Sequence, residues 1–228
     1  MSRIPVKHLL VAIAGALLSV AAPGVKGELL IVNPDMAPRL CPSKYLSRDG
    51  AYEFNVRVLP RVEKIFVEDR TITAGTTEYV VFLVPREAGV YIASTKIVGN
   101  LASNASSLAG QAAQRRVQVV ADPKAISTER IATKFGDTYA LSMLNVSTAG
   151  RDSPFPFSYV WRAGSTELPS SASAHRFFVT EGHLIEVAVL LLAEWQPTQE
   201  PGALKEKANG IVDSVLKQIS SPATVCTK

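Results

Sequence analysis

The stretch from His175 to Leu192 constrains the fold more than any other, because it reads as two strands with no wet side. His175 to Val179 and His183 to Leu192 flank the turn signal Thr180-Glu181-Gly182, which makes them a hairpin. With Val179 set opposite His183, Arg176 falls opposite Glu186, an opposite-charge cross-strand pair that favours this register. Phe177, Val179, Ile185, Val187, Val189 and Leu191 then share one face, and Phe178, Leu184, Ala188, Leu190 and Leu192 the other. Both faces are apolar, so the pair belongs in the middle of a sheet that is covered on both sides.

A covering layer follows directly. Leu204, Ala208, Ile211, Val212, Val215 and Ile219 recur at helical spacing, while Lys205, Glu206, Lys207, Asp213 and Lys217 take the opposite side. Pro201 near the start and Pro222 beyond the end bound this C-terminal amphipathic helix. Upstream, Tyr52 to Val58 alternates apolar and polar residues, as does a half-buried strand, until Pro60 stops it. Lys64 to Val67, Tyr79 to Val84 and Val90 to Val98 are further strands, with Pro85 to Gly89 as a turn. Leu101 to Arg116 is a helix of small side chains, with Leu101, Ala105, Leu108 and Ala112 in phase; Gly110 weakens it, and a loop is the alternative. Its Arg115-Arg116 reads as a solvated helix end. Val117 to Ala121 is a short strand, Thr128 to Lys134 and Thr138 to Leu144 form a hairpin around Gly136-Asp137, and Phe157 to Trp161 is a strand.

This order implies an α+β fold, an antiparallel β-sheet packed with helices as a sandwich and closed by the C-terminal amphipathic helix. It is similar to the PsbP-like sandwich of exported bacterial proteins of the DcrB type, over roughly Tyr52 to Ile219 and most closely over His175 to Ile219. The resemblance lies in architecture, with no motif residues to transfer, and it implies a non-catalytic envelope or accessory protein.

Residues 1–27 read as an export signal: Arg3, Lys7 and His8, an uncharged apolar run from Leu9 to Val20, then Ala21, Ala22 and Pro23. Cleavage fits after Ala21 or after Gly27, and Pro23 favours Gly27; an uncleaved anchor is the rival reading. The expected organisation is a signal peptide over 1–27, an extended proline-containing segment over 28–51 and a single α+β domain over 52–228. Without Arg3, Lys7 and Lys26, the 24 basic and 20 acidic side chains come close to balance, so the basic isoelectric point makes no case for nucleic-acid binding. No later apolar stretch approaches membrane length, so no anchor is expected in the mature chain. The expected location is the periplasm or the extracellular space. There the only cysteines, Cys41 and Cys226, are expected to pair as a disulfide; Cys-x-x-Cys redox spacing is missing.

Chemistry is sparse. In the register above, His175 and His183 lie four residue steps apart, about 13 Å, whereas ligands of one zinc each sit about 2 Å from it. No metal site follows, and no phosphate loop, dinucleotide fingerprint or nucleophile elbow is present, so no cofactor and no catalytic residue is assigned. Phe155, held between Pro154 and Pro156, is the candidate partner contact; folding back onto the core is its alternative. With the export signal, the resemblance above implies an exported non-catalytic binding or accessory protein of the bacterial cell envelope, whose partner is an unidentified protein or envelope component. The alternative is a small periplasmic hydrolase using His175 or His183 as base.

Overall fold

The computed structural model describes residues 30–32, 40–41, 44–47, 49–56, 59, 64–72, 75–84, 88–98, 104–118, 124–144, 170–192 and 200–223. Twelve strands and two α-helices lie within them. They run β1 (Leu30–Val32), β2 (Leu40–Cys41), β3 (Lys44–Leu46), β4 (Glu53–Asn55), β5 (Lys64–Ile72), β6 (Gly75–Val84), β7 (Ala88–Lys96), α1 (Ala105–Gln118), β8 (Lys124–Thr133), β9 (Gly136–Leu144), β10 (Ser170–Thr180), β11 (His183–Leu192), α2 (Pro201–Gln218) and β12 (Ile219–Ser220). Eight strands form an antiparallel sheet in the order β1-β5-β6-β7-β11-β10-β9-β8, and a small sheet runs β12-β4-β3-β2. The α+β sandwich expected from the sequence is present, with α2 as its C-terminal helix.

The apolar hairpin sits at the centre of the large sheet, β11 between β7 and β10, and both of its faces are buried. Ile185, Val187, Val189 and Leu191 face a core that includes Leu204, Ala208, Val212 and Val215 of α2. The small sheet belongs to the same layer, for Phe54 and Tyr45 pack their rings edge-on against Phe82 of β6. Ala188 and Leu190 face the opposite core, with Ala109 and Ala113 of α1. Burial of each large aliphatic or aromatic side chain here contributes about 1.5–3 kcal/mol. The helices therefore flank the sheet rather than share one face.

The hairpin register differs by one residue from the expectation. Thr180 pairs with His183, Val179 with Leu184, and Arg176 with Val187. The turn holds two residues, Glu181 and Gly182, both at positive φ, the combination of a type I′ turn whose twist matches the strands. Arg176 and Glu186 consequently point to opposite faces and do not meet. Arg176 instead donates to Asp213 Oδ1 at 2.8 Å and Asn209 Oδ1 at 3.0 Å, fastening α2 to β10. Phe178 joins the α2 core and Phe177 the α1 core, the reverse of the expected partition on β10.

Other differences are local. The β8–β9 turn is Lys134-Phe135, with Gly136 left-handed after it at φ 83°, so the glycine closes the turn rather than opening it. Of the expected strand Tyr52 to Val58, Glu53–Asn55 form β4 while residues 57 and 58 lie outside the described residues, and Val117 belongs to α1 instead of starting a strand. The expected strand Phe157 to Trp161 lies outside the described residues.

Candidate functional site

Glu186 is the one acid in the middle of β11, on the face that α1 covers. A carboxylate buried there needs donors, and three elements supply them. Arg116, in the last turn of α1, grips it with two bonds, Nε to Oε1 at 2.9 Å and Nη2 to Oε2 at 2.5 Å. The Tyr91 hydroxyl of β7 donates to Oε1 at 2.7 Å, and His175 Nδ1 of β10 lies 2.9 Å from the same oxygen. Because the carboxylate can only accept, Nδ1 carries the proton, and His175 Nε2 accepts from the Ser173 hydroxyl at 3.1 Å.

The charges follow from this wiring. Burial alone would raise the Glu186 pKa, but Arg116 first and His175 second pull it down to about 2. Burial also opposes the Arg116 charge, yet the facing carboxylate outweighs it and holds the guanidinium protonated beyond its ordinary range. His175 is pushed below its ordinary value by burial, partly offset by Glu186. Burial raises Tyr91 well above the usual phenol value; Arg116 opposes the rise and Glu186 adds to it. At neutral pH the cluster is one ion pair with a neutral imidazole and two hydroxyls.

Ser173, His175 and Glu186 thus form a hydroxyl–imidazole–carboxylate chain in the order that hydrolases use. Access separates it from such a site. Ser173 and His175 are both 0% exposed. The adjacent cleft, of about 290 Å³ between α1 and strands β6, β7, β10 and β11, is lined by Glu186 and Arg116 but by neither of them. The hydroxyl that would attack is sealed beneath the helix.

The cleft owes its shape to α1. Gly110 lets the helix lie against β9 so closely that a Cβ there would sit 2.9 Å from the Tyr139 ring. Leu108, Ala112 and Arg115 of α1 form one wall; Thr77 and Tyr79 of β6, with Thr95 and Leu184, form the other. Arg115 is exposed, while Arg116, expected as a solvated end, is pulled inward with only 14% of its side chain exposed.

The second histidine sits elsewhere. His183 opposes Thr180, five positions along β11 from the residue opposite His175, about 17 Å away. It belongs to the other face, where its Nε2 approaches Asp49 Oδ2 to 2.8 Å, outside hydrogen-bond alignment. The two rings cannot meet at one metal. Cys41 lies in β2, whereas Cys226, Phe155 and the export segment lie outside the described residues. Sequence reasoning missed the Glu186 cluster, although a lone acid in a doubly apolar strand signals an ionic partner on the covering helix.

Among known proteins, no family model and no curated relative matches this chain. Its structure is similar to the solution structure of cyanobacterial PsbP (CyanoP) from Synechocystis sp. PCC 6803, at 12% identity over 78% of this chain and 91% of that one, with a TM-score of 0.36. The likeness is one of architecture. Among the described residues no helix is long and apolar enough to cross a membrane.

Proposed function

We propose that this chain is an exported, non-catalytic binding protein of the bacterial cell envelope, acting through its surface cleft rather than by chemistry on a substrate. The carrying observation is the juxtaposition beneath α1: an open cleft lies beside a Ser173–His175–Glu186 chain that is wired like a hydrolase and closed to any substrate. A nucleophile must lie within about 3–3.5 Å of the atom it attacks, and 0% exposure forbids that approach. The test is a fluorophosphonate probe together with a panel of nitrophenyl esters. No labelling and no turnover are expected; labelling at Ser173 that disappears in His175→Ala would establish the hydrolase reading instead.

Export and the Cys41–Cys226 disulfide belong to the same proposal. Beyond α2 the chain enters the small sheet as β12, and the Ala223 amide donates to Glu53 Oε2 at 3.3 Å. From Ala223 three further steps reach Cys226. These can cover about 10 Å and a disulfide spans about 5.5 Å between Cα atoms, while Cys41 stands two strands across and two positions along from Glu53, about 12 Å. The reach suits a bridge. Cell fractionation and N-terminal sequencing, with mass measurement before and after reduction, test both; a full-length cytosolic chain with two free thiols would refute them.

A further inference from the structure

We propose that the cleft beside α1 receives a small organic carboxylate with an apolar body, its acid group held by Arg115. This rests on the reading of the cleft as a binding site and adds the chemical class of its occupant. Among the described residues, the charge count at the cleft leaves one cation over. Glu186 is satisfied on both oxygens, with Arg116 across the pair and Tyr91 and His175 sharing Oε1. That ion pair is internally neutral. Arg115 lines the same cleft, is exposed, and makes no ion pair or hydrogen bond among the described residues. A guanidinium in this position matches a carboxylate with two parallel donors.

The opposite wall supplies a second polar contact. Thr77 and Thr95 hydroxyls are 2.8 Å apart, so one donates to the other and one hydroxyl hydrogen of the pair is left for a further acceptor. Leu108, Ala112, Phe177 and Leu184 supply an apolar surface for the body of the ligand, alongside the polar Tyr79 and Gln111. A volume of about 290 Å³ is at the small end of ligand pockets, enough for one ring or a short chain and too small for a peptide. The Glu186 carboxylate at the floor, held ionised, disfavours a second acid group deeper in the cleft.

The experiment is calorimetric titration of the full mature chain with 4-phenylbutyrate and with its neutral amide, 4-phenylbutanamide. The acid is expected to bind about tenfold tighter than the amide, the preference one charge-assisted bidentate contact confers. Arg115→Gln should erase that preference and leave the amide unchanged, and Ala112→Phe, checked for an unaltered melting curve, should block both. Equal binding of acid and amide to the wild type, a preference that survives in Arg115→Gln, or no binding of either at millimolar concentration would overturn the assignment. The non-catalytic reading is judged separately by phosphonate labelling and stands or falls apart from these outcomes.

Discussion

The two faces of the large sheet hold their helices by different means. On one, α2 sets Leu204, Val212 and Val215 against Val187, Val189 and Phe178, and the ring of Phe135 stacks on Phe178 at 4.3 Å. The ion pair there, Arg176 with Asp213, reaches a half-exposed carboxylate. On the other face α1 buries little more than Ala109 and Ala113, and it reaches the sheet through the Arg116–Glu186 pair. Apolar packing attracts without direction, whereas a two-bond ion pair holds a helix at one height and one rotation. Desolvation takes back most of what such a pair contributes. Position, more than stability, is what it contributes to the cleft that α1 borders.

The largest effect should come from breaking that pair on one side. Glu186→Leu takes the facing carboxylate from the charged, largely buried Arg116 and removes its bonds to Tyr91 and His175; a loss of about 3–5 kcal/mol in urea unfolding is expected. Arg116→Met combined with Glu186→Leu should recover most of it. A single substitution costing under about 1 kcal/mol would show that the pair behaves as a surface one and that the contrast between faces is false.

Acid should sharpen the contrast next. Glu186 and His175 both have folded pKa values below their unfolded ones. The unfolded chain therefore binds protons first, and the stability these groups confer is full above the unfolded values and lost as pH falls towards the folded ones. His175 acts from about pH 6.5 downwards, and Glu186 between about 4.5 and about 2. The Glu186 share is about 3 kcal/mol, read as a falling urea midpoint; Glu186→Leu should flatten it. Retention of the full acid response in that variant would place its source elsewhere.

Val212→Ala on α2 should cost about 2 kcal/mol and leave the acid response unchanged. The smallest effect is expected at Gly110, where Ala improves helix propensity but drives a Cβ into the Tyr139 ring, a net loss of about 1 kcal/mol. Its sharper readout is the cleft: if α1 shifts to make room, 4-phenylbutyrate binding changes by more than the stability does.

Much of the fold was legible because its central elements repeat their pattern over many residues. The ten residues of β11 and the eighteen of α2 leave no doubt about period. The register of β10 was not legible, because it depends on counting one turn residue and Glu181 is an unusual occupant of a left-handed position. The chance opposition of Arg176 and Glu186 made the wrong count attractive. Residues 170–174 gave no strand signal since Ser and Ala carry little β preference, yet Ala172, Ser173 and Ala174 are wholly buried. The rest of the small sheet, beyond β4 within the expected strand Tyr52 to Val58, was invisible for another reason: strands of two or three residues have no period, and Tyr45, in the expected lead-in segment, is core. The Glu186 cluster draws one residue each from α1, β7 and β11 and two from β10, so no motif announces it.

One pairing bears on the order in which the molecule can be assembled. Ser220 of β12 donates its hydroxyl to Glu53 of β4, 167 positions earlier. Polypeptides emerge from ribosomes and translocation channels amino end first, so that edge of β4 must wait until Ile219 and Ser220 have appeared. Such a late, distant closure slows completion and prolongs the interval in which an unpaired edge invites chaperones or stray strands. Products stalled before Ile219 should accordingly be captured by holdases or degraded, even though every strand of the large sheet has already been made.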